Sequence, residues 1–138
     1  MSFILPKPVA DLVDATNRFD LDAFMEPFAD DCMINDRHRQ FWGKDAVRKW
    51  SEIEIVGDHV TMDVREVIDH HGDIILTAKL GGDFDKSELP EDFGLVFYIT
   101  LRADKIVQII LMPEAGRALS KATPTSEAAT LYSDPLVA

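Results

Sequence analysis

The chain is 138 residues long and 46 % apolar, which suits one domain with a hydrophobic core of its own. Its 14 Lys and Arg stand against 25 Asp and Glu, a formal charge of -11, and so acidic a surface repels nucleic-acid phosphates and anionic lipid headgroups. We therefore expect no nucleic-acid partner and no membrane association, and no apolar run approaches the ~18 residues of a membrane span.

The opening MSFILPKPV carries only a short apolar patch, broken by Pro6 and Pro8, without the apolar region of a signal peptide. A cytoplasmic protein is expected. Both prolines suit the first turn of a helix, where a missing N–H costs little. Val9, Leu12, Val13 and Thr16 follow at helical spacing, giving a first helix over roughly residues 8–18. Asp20 is placed to cap a second, short helix carrying Leu21 and Phe24, which Pro27 should end. After a turn at Asp30 and Asp31, Cys32 to Asp36 reads as a short strand. Cys32 is the only cysteine, so there is no internal disulfide and no cysteine metal cluster. Among Phe28, Met33 and Ile34 it reads as a buried, inert thiol. Gly43 should open a third helix with Val47, Trp50 and Ile53 along one side, closed by Gly57.

From Val60 the pattern changes to strands. Val60, Met62 and Val64 alternate with Thr61, Asp63 and Arg65, as in a half-exposed antiparallel strand. A tight turn at residues 70–73 leads into Ile74 to Leu80, an acidic connector runs from Gly81 to Asp92, and two long strands follow, Leu95 to Arg102 and Lys105 to Met112. These last two are apolar on both faces, although an antiparallel sheet usually wets one side. The economical cover for the second face is another copy of the chain, so a homodimer through the outer sheet face is expected. After Pro113 the composition shifts to Ala, Ser, Thr and Pro. Residues 1–113 read as the domain, and 114–138 as a tail holding a short helix near Glu114 to Lys121 or forming a loose arm.

Helices followed by a meander of strands means α+β. Asp20-Leu21-Asp22-Ala23-Phe24, Phe28-Ala29-Asp30-Asp31 and Gly43-Lys44-Asp45-Ala46-Val47-Arg48 resemble the nuclear transport factor 2-like superfamily, closest to its SnoaL-like and ketosteroid-isomerase-like branches. The resemblance spans about Pro8 to Met112. It implies a cone: a curved antiparallel sheet wrapped around the three N-terminal helices and enclosing an apolar pocket. Steroid isomerases, polyketide cyclases, dehydratases, epoxide hydrolases and non-enzymatic adaptors share this fold, and many dimerise through the sheet.

By the resemblance, the carboxylate that ends the strand after the "FADD" segment is a proton-shuttling base, here Asp36, and the aromatic wall on the third helix is Trp50. The oxyanion donors are not carried over. The tyrosine of the first helix falls on Leu12, and the acid of the penultimate strand on Phe97, or Val96. A base gains little unless the developing enolate oxygen meets a preorganised donor, which argues against classical steroid isomerase activity.

From the residues alone, Asp36 reads first as a strand-end carboxylate paired with Arg37 or Arg39. His38, two residues on, lies on the same side of an extended chain as a donor to substrate or partner of Asp36, or else is a surface residue. Of Tyr98 and Phe97 only one can face the pocket. Trp50 serves core or ligand. No HxxxH or HExxH spacing occurs, so neither metal nor cofactor is expected. The resulting expectation is a pocket for a small apolar organic ligand, walled by Leu12, Phe24, Trp50, Met62 and Phe97. Asp36 would be the general base, with His38 or Tyr98 as donor, in an isomerase, cyclase or dehydratase acting next to a carbonyl. The alternative is a non-catalytic ligand-binding or dimerisation module.

Overall fold

The computed structural model describes residues 3–87 and 93–114; the expected tail helix falls outside them. Helix α1 spans Lys7–Asn17, with Val9, Leu12, Ala15 and Thr16 buried along one stripe. The short α2, Leu21–Met25, is capped as expected, the Asp20 carboxylate accepting from the Ala23 N–H, and it stops before Pro27. Strand β1 begins earlier than expected. It runs Phe28–Asp36, so Asp30 and Asp31 lie within it, at a register irregularity between Phe28 and Met33, and not in a turn. Arg102, two strands away in the sheet, holds Asp31 with two bonds of 2.7 and 3.0 Å.

A strand that the sequence did not announce, β2 (Arg39–Trp42), pairs antiparallel with β1. Helix α3, Lys44–Trp50, continues directly into a π-helical turn, Ser51–Val56. Strands β3 (Thr61–His70), β4 (Asp73–Gly81), β5 (Gly94–Arg102) and β6 (Lys105–Pro113) complete one six-stranded curved sheet in the order β2-β1-β6-β5-β4-β3. The sheet is mixed, not wholly antiparallel: β1 and β6 run parallel, because the chain crosses from β2 to the opposite sheet edge before the meander returns to β1. It does not close into a barrel.

Parity divides each strand between two faces. Ile74, Leu76 and Ala78 of β4, Leu95, Phe97 and Ile99 of β5, and Ile106, Ile109 and Leu111 of β6 are buried against α1 and α2 in a single core. On β3 a bulge between Val64 and Glu66 moves the inward series from Met62 and Val64 to Val67, which packs on that core. The edge strand β3 is tied to α1 by a side chain. Asn17 Nδ2 donates to Met62 O at 3.1 Å, and the Met62 N–H donates to Asn17 Oδ1 at 2.7 Å, as a neighbouring strand would.

Asn17→Ala removes both bonds and is expected to lower the urea-denaturation free energy by about 1–2 kcal/mol, with Asn17→Asp recovering only the accepting half. An unchanged midpoint in both variants would show that the link contributes nothing.

Candidate functional site

Between the sheet and the α3–π segment lies a chamber of about 200 Å³, whose walls include Asp36, Arg37, Trp50, Glu54, Leu95 and Leu111. A narrower apolar recess of about 30 Å³ adjoins it and shares Trp50, Ile55, Val60, Leu80, Leu95 and Leu111 with it. Leu12, Phe24, Met62 and Phe97 line the recess. Those four and Trp50, named from sequence as ligand-contacting, therefore share one cavity system with Asp36.

Asp36 closes β1 and is only 3 % exposed. Its Oδ1 accepts from Arg37 Nε at 2.9 Å, and its Oδ2 accepts from Arg39 Nη2 and from Trp50 Nε1 at 3.2 Å. Burial pushes the carboxyl pKa up, but the hydrogen bond and charge of Arg37, with the hydrogen bonds from Arg39 and Trp50, outweigh it and hold the group below its ordinary value. Arg39 is shared: Nη1 and Nη2 donate to Glu54 at 2.9 and 2.6 Å. Glu54 and then Asp36 raise the Arg39 pKa further above its ordinary value. The Arg39 guanidinium lies 5.6 Å from the Phe41 ring centroid, and Phe41 in turn lies 5.9 Å from Trp50.

The π-helical turn sets which residues reach the chamber. Its wider i→i+5 bonds, including Gly57 N–H to Glu52 O and Val60 N–H to Ile55 O at 2.9 Å, bring Glu54 and Ile55 to the side of Trp50. Ile53, expected on the inner side at α-helical spacing, is instead 58 % exposed.

The two expected donors do not meet Asp36. Arg37 and His38 form the two-residue loop between the paired Asp36 and Arg39, with φ of 51° and 80°, as in a type I′ hairpin turn. The chain is not extended there, so the same-side rule fails. His38 is exposed and lines neither cavity, its backbone N–H donating to Asn35 Oδ1 at 2.7 Å. Tyr98 pairs with Ile75 and Ile110 on the outer face and is 41 % exposed, while Phe97 beside it points inward. Sequence reading placed Arg37 only as an ion-pair partner and missed Glu54, Phe84 and Phe93 as chamber walls. Two phenylalanines flanking an otherwise acidic connector were the available signal. Cys32 is fully buried, and burial pushes its thiol pKa up, which keeps it protonated.

No family model matches the chain, and no curated protein matches it. Solved structures do. A proposed polyketide cyclase from Sinorhizobium meliloti is 23 % identical, with 78 % of this chain and 95 % of that one covered and a TM-score of 0.69. A proposed SnoaL-like polyketide cyclase from Jannaschia is 14 % identical over 87 % and 96 %, with a TM-score of 0.64. A protein of ketosteroid isomerase-like fold from Catenulispora acidiphila, in complex with trimethylamine, is 15 % identical over 79 % and 86 %, with a TM-score of 0.66. The chain has the nuclear transport factor 2-like fold, the one shared by SnoaL-like and ketosteroid isomerase-like proteins. Among the described residues, no helix is long and apolar enough to cross a membrane.

Because its folded pKa is depressed, Asp36 adds stability that is complete above the unfolded value of about 3.9 and is lost as pH falls through the folded value. Asp36→Asn is expected to be less stable than wild type by about 1–3 kcal/mol at neutral pH. In urea melts that gap should narrow as the wild-type carboxylate protonates in acid. A gap that stays constant down to strongly acidic pH would contradict the assignment.

Proposed function

We propose that the protein binds a small, largely apolar organic molecule in the chamber and recess, with Asp36 as the ionised anchor of the wall. The observation that carries this reading is the arrangement of the cavity. A recess lined by Leu12, Phe24, Met62 and Phe97 adjoins a larger chamber whose walls include Asp36, Arg37 and Glu54. The volumes suit a ligand of one or two rings, since apolar cavities of about 150 Å³ already take benzene. The trimethylamine-bound neighbour, a chain of the same fold holding a small organic molecule, supports it.

One observation favours a catalytic reading, that of a cofactor-free isomerase, cyclase or dehydratase acting next to a carbonyl with Asp36 as base. A carboxylate offers about four acceptor sites, and three are filled, so Oδ1 retains one. Against it stands the depressed pKa, which leaves Asp36 ionised but weakly basic, far from the match to working pH that proton abstraction favours.

A thermal-shift panel of aryl ketones, lactones and enones separates the two readings. Binding alone predicts stabilisation, about 2.7 kcal/mol at a hundredfold excess over Kd, without turnover. Turnover that disappears in Asp36→Asn would replace it with the catalytic reading, and no stabilisation by any member would sink both.

We also propose a homodimer through the outer face of the sheet. Ile68, Ile75, Tyr98 and Ile110 stand side by side across β3 to β6, with Val96 and Met112 paired in the adjoining row. Ile68 and Tyr98 are exposed in the single chain, and an apolar row of this kind is disfavoured on a free surface. Light scattering at micromolar concentration should give twice the chain mass, and Tyr98→Glu should halve it. A monomeric wild type refutes the interface.

A further inference from the structure

We infer that Arg37 is the residue through which the cavity recognises its ligand, and that the group recognised is a neutral carbonyl oxygen. This rests on the small-molecule reading above and names the ligand class for that site. Among the described residues, Arg37 is the one cationic side chain lining the chamber. Of the two arginines on Asp36, Arg39 is spent: both its terminal nitrogens are engaged by Glu54 and Asp36. Arg37 uses only Nε. Its two terminal nitrogens carry four N–H donors and have no hydrogen-bond partner among the described residues.

The Arg37 side chain is half-exposed, but the residue is tethered at two points. The Arg37 N–H donates to Leu111 O at 3.1 Å, which fixes the start of the side chain against β6. The Nε bond to Asp36 fixes its far end. A donor fork restrained in this way loses little entropy when it takes an acceptor.

Charge selects among acceptors. Asp36, Arg37, Arg39 and Glu54 sum to zero, and the other ionisable chamber walls, Asp58 and Asp85, make no ion pair among the described residues. An anion would share the chamber with those carboxylates and find a guanidinium already paired with Asp36. A cation would meet the donors of Arg37. A carbonyl oxygen pays neither penalty and offers two lone pairs to the fork, while its apolar body lies against the apolar walls of the chamber, Leu95 and Leu111 among them.

The test uses four probes of one size: ethylbenzene, acetophenone, benzoate and benzylammonium. Binding is read by calorimetry and by the Trp50 indole N–H resonance, which reports from the chamber wall; the indole of Trp42 is on the surface, 66 % exposed. The informative variant is Arg37→Asn, because asparagine tolerates the left-handed backbone of this turn position and the fold should persist, as its thermal melt will show. Acetophenone is expected to bind wild type most tightly of the four. Arg37→Asn should weaken it roughly ten- to a hundredfold, the range for a hydrogen bond to a charged group, and leave ethylbenzene unchanged. Arg37→Lys, keeping the charge without the fork, should fall between. Equal acetophenone affinity in wild type and Arg37→Asn overturns the inference while ethylbenzene binding preserves the cavity reading. Tighter binding of benzoate or benzylammonium than of acetophenone overturns it too. If no probe binds, the cavity reading and the inference fall together.

Discussion

A carboxylate buried at the end of β1 is the constraint around which this end of the molecule is arranged. An ionised group taken from water costs several kcal/mol unless it is paired and hydrogen-bonded. Asp36 finds its donors on three different elements: Arg37 in the hairpin loop, Arg39 on β2 and Trp50 on α3. One side chain therefore ties the β1–β2 hairpin to the helix that roofs the chamber. Arg39 extends the tie to Glu54 in the π-helical turn. Removing the carboxylate would leave two guanidinium groups with no partner on that side, so the arrangement depends on Asp36 being charged.

The π-helical turn is the second element of that construction. Ser51, fully buried, returns its hydroxyl to Val47 O at 2.7 Å, which satisfies the side chain within the helix. At its end, Gly57 has an ordinary helical φ of -60°. Glycine is required there for another reason: a Cβ would lie 2.4 Å from Ile53 O. The expected closing glycine is present, but as a point of close backbone approach and not as a left-handed cap. Glu54 and Ile55 face the chamber because the turn is wide, and Ile53 faces water for the same reason.

Where periodicity was strong, the sequence was readable. The spacing of Val9, Leu12, Val13 and Thr16 announced α1 to within a residue, and the alternation at the start of β3 and the turns after His70 and Arg102 fell where expected. Four features were not legible, each for a physical cause. Strand β2 reads Arg-Gln-Phe-Trp, half or fully exposed throughout, and an edge strand of that kind has no inward series to show. The Arg37–His38 turn contains no glycine, so it looked extended and put His38 beside Asp36. Nothing in local composition signals a π turn. The parity of Leu95 to Arg102 was undecided because residue types on both faces are apolar. Packing against α1 and α2 settles it, turning Phe97 in and Tyr98 out. Asp36 was singled out by a motif of chain order, and it lies buried at the end of β1 as that order implies, because chain order depends on topology and not on the exact turn.

Stability and basicity make opposite demands on such a carboxylate. A general base should be under-satisfied, held against apolar walls with few donors so that its proton affinity rises. Asp36 has the apolar neighbourhood, but with two arginines and an indole added, and the donors win: the group is driven below its ordinary pKa despite burial. The same donors that weaken it as a base make it useful in another way. By holding Nε of Arg37, Asp36 cancels the guanidinium's net charge without using its terminal N–H groups. The chamber thereby presents hydrogen-bond donors without presenting a net positive charge. That combination is hard to build from a single residue. Here it comes from placing a buried carboxylate and a hairpin arginine side by side at the end of one strand.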